Sequence, residues 1–330
     1  TRYLPTPDDS ARPGDNFINV ILEDSRGSFW VGAGDLRMGG GGVYQFDRIN
    51  GTFSRVRYSS SEPMGSSVNW ITSLFEDASG TLWVCSDPHR VYRFDESSGR
   101  FSRLPLPNYE GWFGASTEGM NRPTTHAVKR VCEDRAGALW IATWGSGLFR
   151  YERRTRGFTQ YIPDSSDPSS LSSPHVNTMF LDRTGLLWVG TDDGGVNTVS
   201  TKPFLLRHTL GDSLRILNRV QAVFGDMQGG LWIGAIGIGA WRFNPTTQRS
   251  THVWQDVIVN DFYQDKEGTV WACTHTDLIS VDPRNNAYPT IWRIPYDGEF
   301  GNRVLVDSDG FAWVGTDRSV YRVWRDMKEY

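Results

Sequence analysis

With 330 residues and a net charge of −4, the chain is long enough for two domains, but it has no basic run of the kind nucleic acid would demand. No apolar run reaches transmembrane length, no secretory leader is expected within these residues, and the abrupt start at "TRYLP" reads as that of a mature or excised fragment. The three cysteines are odd in number and lack metal-ligand spacing, so structural roles are expected for all of them.

Taken in chain order, the first predicted strand is "INVILED", an apolar, β-branched run ending on Asp24. Asp24 opens the frame Asp-x-x-Gly-x-x-Trp, completed by Gly27 and Trp30. A second strand begins at the Trp, a third is predicted at "GVYQFD" and a fourth at "TFSRVRY". The pattern then repeats. Asp77, Gly80 and Trp83 are followed by "RVYRFD" and "RFSRLPL"; Asp134, Gly137 and Trp140 by "GLFRYE" and "GFTQYIP". "VNTMFLD" leads into Asp182, Gly185 and Trp188. The last three frames hold Asp226, Gly229 and Trp232, then Asp265, Gly268 and Trp271, then Asp307, Gly310 and Trp313, with "SVYRV" after the last.

The seven frames, at 24–30, 77–83, 134–140, 182–188, 226–232, 265–271 and 307–313, are separated by Asp-to-Asp steps of 53, 57, 48, 44, 39 and 42 residues. Four short strands per step, with no helical periodicity, predict an all-β chain. The expected fold is one seven-bladed β-propeller of four-stranded antiparallel blades over residues 1–330. The last unit lacks a clear fourth strand, and "TRYLPTPDDS" parallels "FTQYIPDSSD" from Phe158. Residues 1–4 are therefore expected to supply the outer strand of the last blade and close the ring.

Within each frame the Asp suits the first position of a type I turn and accepts a backbone N–H, and the Gly supplies a positive φ. The Trp is expected to lay its face on the next blade. Two residues later stand Gly32, Cys85, Ala142, Gly190, Gly234, Cys273 and Gly315, all small, as close-packed sheets require. Cys132 takes an apolar slot two residues before Asp134.

The first–second and third–fourth turns are uniform and belong to one face of the ring. Variation gathers on the other face, in "GDLRMGGGG" of blade 1 and in the crossing "LPNYEGWFGASTEGMNRPTTHAV" with Tyr109, Trp112 and Phe113. Variable loops on a rigid scaffold carry function, so the ligand face is expected there. Five residues before each Asp, near the start of each first strand, stand Asn19, Thr72, Lys129, Asn177, Gln221, Asn260 and Asn302. This polar ring reads as a hydrated channel mouth or as amide donors and acceptors for sugar hydroxyls. The second–third loops add Asp35, Arg37, His89, Arg90, Trp144, Asp192, Asp193, His275 and Arg318, with Trp144 placed to stack on a sugar face.

A catalytic reading would rest on Asp192 and Asp193, or on His126, His175 or His275 acting with a Tyr or Arg. No Ser-His-Asp pattern, phosphate loop, metal motif or cofactor motif accompanies them. A binding module is therefore expected ahead of a secreted polysaccharide lyase or glycosidase, or of a docking module in a secretion or surface complex.

The repeat resembles the two-component regulator propeller repeat, most fully over Phe158 to Val199, "FTQYIPDSSDPSSLSSPHVNTMFLDRTGLLWVGTDDGGVNTV". Blades 6 and 7 depart from it in lacking the Gly of the third strand. The resemblance implies a periplasmic or extracellular sensor propeller. Such propellers often stand in tandem before an immunoglobulin-like domain, a membrane span and a histidine kinase or diguanylate cyclase. It also implies an oligosaccharide or adjacent receptor domains as partners, and dimerisation through the full receptor.

Overall fold

The computed structural model describes residues 1–5, 16–35, 40–56, 70–87, 90–107, 127–201, 204–208, 219–284, 290–294 and 299–324. Arg37, His89, Tyr109, Trp112, Phe113 and His126 lie outside the described residues.

Seven four-stranded antiparallel sheets, without a helix among the described residues, form a seven-bladed propeller. Each blade runs outward in sequence order from an inner strand. These inner strands are Ile18–Glu23, Trp70–Glu76, Val128–Glu133, Val176–Leu181, Val220–Gly225, Val259–Gln264 and Gly301–Val306. Each packs against the inner strands of both neighbours, and the circle closes between the last and the first. The second strands, such as Leu139–Thr143, are buried along almost their whole length, whereas outer strands such as Thr52–Arg55 are largely exposed. The third strands of blades 6 and 7, Asp277–Val281 and Val320–Val323, pair normally despite lacking the Gly.

The Asp-x-x-Gly-x-x-Trp frame turns out to be a closed hydrogen-bonded unit. In all seven blades one Asp oxygen accepts the indole Nε1–H of the Trp at 2.7–2.9 Å. The other accepts the amide four residues on, at 2.6–3.0 Å. The Gly amide returns to the Asp carbonyl, and every Gly has a φ between 78° and 92°. The Asp thus fixes the turn and orients the Trp at once. The carboxylate can afford burial because its lone pairs are filled. Asp77 shows the balance: burial pushes its carboxyl up, but hydrogen bonds from Ser79, Trp83 and the Thr81 amide, with Arg153 beside it, hold it at about 2. Gly185, at φ 90°, has only the Arg135 side chain near its Cα face. Gly185→Val is expected to cost about 1–3 kcal/mol through backbone strain, read by urea denaturation; a cost near zero would contradict the left-handed assignment.

Each Trp packs across to the following blade. Trp140 meets Val176, Met179 and Val189, and Trp313 of the last blade meets Ile18 and Ile21 of the first. The small residue two positions later is required by the same approach. A Cβ on Gly32 would lie 2.6 Å from Ile71, and one on Gly315 would lie 2.6 Å from Ile18. Cys85 and Cys273 are buried in this slot, and all three cysteines are free thiols. Burial, reinforced by Asp134, pushes the Cys132 thiol up to about 12.

Turn-to-turn bonds on this uniform face hold the blades in a circle. The residue before the Asp reaches back to the preceding turn: Glu76 accepts the Ser25 amide and hydroxyl at 2.7 Å each, and Glu133 accepts the Ala78 amide at 2.7 Å. Glu23 does the same across the closure, accepting the Ser308 amide at 2.9 Å. At the perimeter, Arg2–Tyr3 pairs with the last strand, Arg2 opposite Tyr321 and Tyr3 opposite Val320. The Tyr3 ring lies 5.0 Å from Phe46 of blade 1 and 5.8 Å from Trp313 of blade 7. N-terminal closure is thus as expected.

Candidate functional site: the channel mouth

The inner strands start at the variable face, where the second–third loops and blade crossings meet. In every blade the inner ladder slips by one residue near its start, between Ile18 and Val20, Ile71 and Ser73, Val128 and Arg130, Val176 and Thr178, Val220 and Ala222, Val259 and Asp261, and Gly301 and Arg303. The residue left unpaired is the polar one: Asn19, Thr72, Lys129, Asn177, Gln221, Asn260 or Asn302. A bulge re-aims a side chain, and here seven bulges aim seven polar side chains inward. All seven line one cavity of about 180 Å³, together with Trp70 and Arg303.

The bulges also expose carbonyls, and the ring binds them. Thr72 donates to the Val128 carbonyl at 2.6 Å, Asn177 to Val220 at 3.0 Å, Asn260 to Gly301 at 2.7 Å and Asn302 to Ile18 at 3.0 Å. Each acceptor belongs to the next blade. Asn19 donates instead to Gly34 of its own blade at 2.7 Å. The carboxamide nitrogens of Asn19, Asn177, Asn260 and Asn302 each donate to the backbone, which holds these amides in place at the cavity wall.

One residue further from the mouth, Arg130 of blade 3 reaches across the channel to Asp261 of blade 6, Nη2 to Oδ1 at 3.4 Å. Arg303 of blade 7 approaches the same oxygen at 3.9 Å and donates to the Asn260 carbonyl at 3.1 Å. Asp261 Oδ2 accepts the Val304 amide at 3.2 Å.

Around the mouth the residues form an aromatic and charged rim. The Lys129 ammonium sits over two indoles, 5.5 Å from Trp70 and 5.6 Å from Trp144. Trp144 is 4.9 Å from the His175 ring, and an isolated β-bridge joins their backbones. A second pair, His275 with Phe300 at 5.3 Å, stands between blades 6 and 7, with Phe300 46% exposed. Burial holds His275 below the usual histidine range, partly offset by Asp317.

The other sequence-derived candidates separate. Asp192 accepts from Asn177 at 3.4 Å and pairs with Arg219 at 3.5 Å, whereas Asp193 is exposed and lies 4.0 Å from His175 Nδ1. Arg90 donates to the Tyr92 hydroxyl at 3.2 Å and, like Arg318, is not among the cavity's lining residues. Arg318 is exposed, its amide donating to Thr316. Among the described residues no three potential metal ligands cluster. The rim residues missed by sequence reasoning are Trp70 and Phe300, with Arg303 below them. Trp70 and Phe300 stand two residues before the polar ring position, a spacing visible once the ring is recognised.

Comparison with known proteins bears on the repeat and the fold. The family model described as two component regulator propeller matches residues 65–87 and 170–193, within blades 2 and 4. A histidine kinase P4 of Formosa agariphila is 34% identical over 56 residues, which is 17% of this chain and 4% of the kinase. The extracellular domain of a hybrid two component system from B. thetaiotaomicron superposes with a TM-score of 0.71 at 19% identity, over 93% of this chain and 40% of that one. Virginiamycin B lyase from Staphylococcus aureus superposes with a TM-score of 0.69 at 13% identity, over 98% and 97%. At such identities these two structures share the fold and nothing finer. The chain spans well under half of both the kinase and the B. thetaiotaomicron domain. The chain is a seven-bladed propeller with the Asp-x-x-Gly-x-x-Trp unit in every blade, and the two component regulator propeller repeat is matched in blades 2 and 4.

Proposed function

We propose that this propeller is the exported ligand-binding domain of a two-component or diguanylate cyclase-linked receptor, and that it recognises an oligosaccharide laid across the channel mouth. The observation that carries the reading is the rim. Trp70, Trp144 and His175 gather around Lys129 on one side, and His275 and Phe300 stand on the other, above a cavity lined by seven hydrogen-bonding side chains. Flat aromatic faces suit the apolar faces of sugar rings, and fixed amide oxygens suit their hydroxyls. Support for the receptor setting comes from the repeat family and from the histidine kinase with a matching segment.

Calorimetry against a panel of plant, algal and host glycan fragments tests the reading. For a fragment the chain binds, Trp144→Ala is expected to weaken affinity roughly 5- to 10-fold through lost stacking, about 1 kcal/mol, while the unfolding midpoint moves little. Arg318→Ala, outside the cavity, is expected to have a smaller effect than Trp144→Ala. Unchanged affinity in Trp144→Ala would move the site away from the mouth, and turnover of a polysaccharide by the wild type would replace the binder with an enzyme.

A further inference from the structure

We infer that the rim of blade 7 takes the free amino group of an aminosugar residue, its ammonium held by the Asp317 carboxylate beside the Phe300 ring. This rests on the oligosaccharide reading and names the class of sugar.

The propeller contains its own reference for this slot. In each blade the residue seven before the frame Asp meets the residue ten after it at the rim. In blade 4 these are His175 and Asp192, with the Asp192 amide donating to the His175 carbonyl at 2.9 Å. In blade 7 they are Phe300 and Asp317, with the Asp317 amide donating to the Phe300 carbonyl at 3.1 Å. Both blades therefore set an aromatic ring and an acid in the same register. They differ in what answers the acid. Asp192 is met at 3.5 Å by the guanidinium of Arg219, the residue seven before the Asp of the next blade. Beside blade 7 the equivalent residue is Phe17 of blade 1, which carries no charge.

Asp317 is half-buried, and its bonds are few. Its Oδ1 accepts the Phe300 amide at 2.8 Å; among the described residues its Oδ2 accepts from no other residue. Burial raises the proton affinity of this carboxyl. The Phe300 amide and the neighbouring Arg318 offset part of the rise, and the Glu299 carboxylate adds to it. Glu299 commits its own oxygens to Arg2 and to the hydroxyls of Thr316, Ser319 and Tyr321. On the side of blade 6 the His275 ring lies 5.3 Å from Phe300, and burial holds it below the usual histidine range. At neutral pH the imidazole is therefore uncharged and supplies no competing cation. Phe300 itself keeps 46% of its surface open.

A carboxylate with an uncommitted oxygen next to an exposed aromatic ring is the chemistry that holds an ammonium. The ring quadrupole attracts the cation, and the carboxylate makes a charge-assisted hydrogen bond to it. An aminosugar carries that ammonium on a ring whose hydroxyls suit the polar side chains lining the cavity. Its amine takes in blade 7 the place that the Arg219 guanidinium fills in blade 4.

The test uses three oligomer series that share one backbone and linkage: cello-oligosaccharides, chitin oligomers, whose amino groups are acetylated, and chitosan oligomers, whose amino groups are free. In calorimetry at neutral pH, chitosan oligomers are expected to bind about ten-fold or more tightly than the other two series at equal length, with the gap narrowing as salt rises. Asp317→Asn, which keeps an acceptor for the Phe300 amide, should cut the preference to about two-fold or less, and Phe300→Leu should shrink it. Phe17→Arg writes the blade 5 residue into blade 1 and should abolish the preference by supplying a guanidinium from within the chain. If Phe17→Arg or Phe300→Leu unfolds, Asp317→Asn carries the decision. Equal affinity for the three series would overturn this inference while leaving the oligosaccharide reading intact, as would a chitosan preference that survives Asp317→Asn. Failure of the chitosan oligomers to bind would also overturn it, and the broader glycan panel then decides the oligosaccharide reading separately.

Discussion

Asp134→Ala is expected to cost about 3–5 kcal/mol of folding stability, among the largest effects of any single substitution in the blades. The side chain is almost fully buried, with 4% of the residue exposed. One oxygen accepts the amides of Ala136 and Ala138, at 2.9 and 3.0 Å, and the other accepts Trp140 Nε1 at 2.9 Å. Alanine strands all three donors where water is scarce. Trp140, fully buried against blade 4, cannot turn its indole outward to find a new acceptor without emptying that core. Asp134→Asn retains a single oxygen and presents an N–H₂ where an acceptor is required, so it should fall between alanine and wild type. Trp140→Phe should cost less than Asp134→Ala, since the carboxylate keeps its amide donors and Arg150 at 3.5 Å. Urea denaturation followed by tryptophan fluorescence ranks the three. A cost below about 1 kcal/mol for Asp134→Ala would mean that the turn survives without its carboxylate, and that the recurrence of Asp in the frame has another cause.

Glu299→Ala is expected to cost about 3 kcal/mol and to open the ring at its seam. Glu299 is 4% exposed, yet it belongs to no strand. It receives Arg2 at 2.7 Å, the Thr316 and Ser319 hydroxyls at 2.7 Å each, and the Tyr321 hydroxyl at 3.2 Å. Arg2 and Tyr321 face each other across the closing strand pair, so a single carboxylate ties the N-terminal strand to the blade it completes. Its removal takes away an acceptor that four donors share. Thr316 and Ser319 recover part of the loss through each other, at 3.3 Å. Hydrogen exchange should therefore accelerate first at Tyr3 and Arg322, then across Val320–Val323, while blades 3 to 5 stay protected. Glu299→Gln, which keeps an acceptor but loses the attraction to Arg2, should cost less. Arg2→Ala should cost about 1 kcal/mol or less, because Arg2 is 45% exposed. Uniform exchange around the ring in Glu299→Ala would show that the seam is held by packing alone.

The architecture was legible in the sequence because a propeller repeats one local solution. The Asp, the Gly and the Trp stand at fixed separations within a single hairpin, so their spacing survives in the linear chain. The small residue two positions after the Trp follows from the same hairpin. The parallel between "TRYLP" and "FTQYIP" likewise located the seam, which the pairing of Tyr3 with Val320 realises. The polar ring could be placed for the same reason: it stands five residues before each Asp, and all seven of its members line the cavity.

Tertiary structure alone decided what those residues do. No spacing reveals that the Asp carboxylate holds the indole of its own Trp, because that bond needs the hairpin folded. Nor does spacing reveal that the Asn side chains bond to carbonyls freed by bulges, most of them in the next blade, because a bulge is a register shift between strands with no signature in one strand. Arg130, Asp261 and Arg303 are separated by 131 and 42 residues in the chain and meet only because blades 3, 6 and 7 share a centre. Glu299 stands outside any strand and is a buried clasp because the last strand and the N-terminal strand meet over it. Sequence specifies what recurs within a blade, where partners are a few residues apart. The ring fixes what happens once, where closure brings distant side chains into a shared, poorly solvated space and sets their charges against one another.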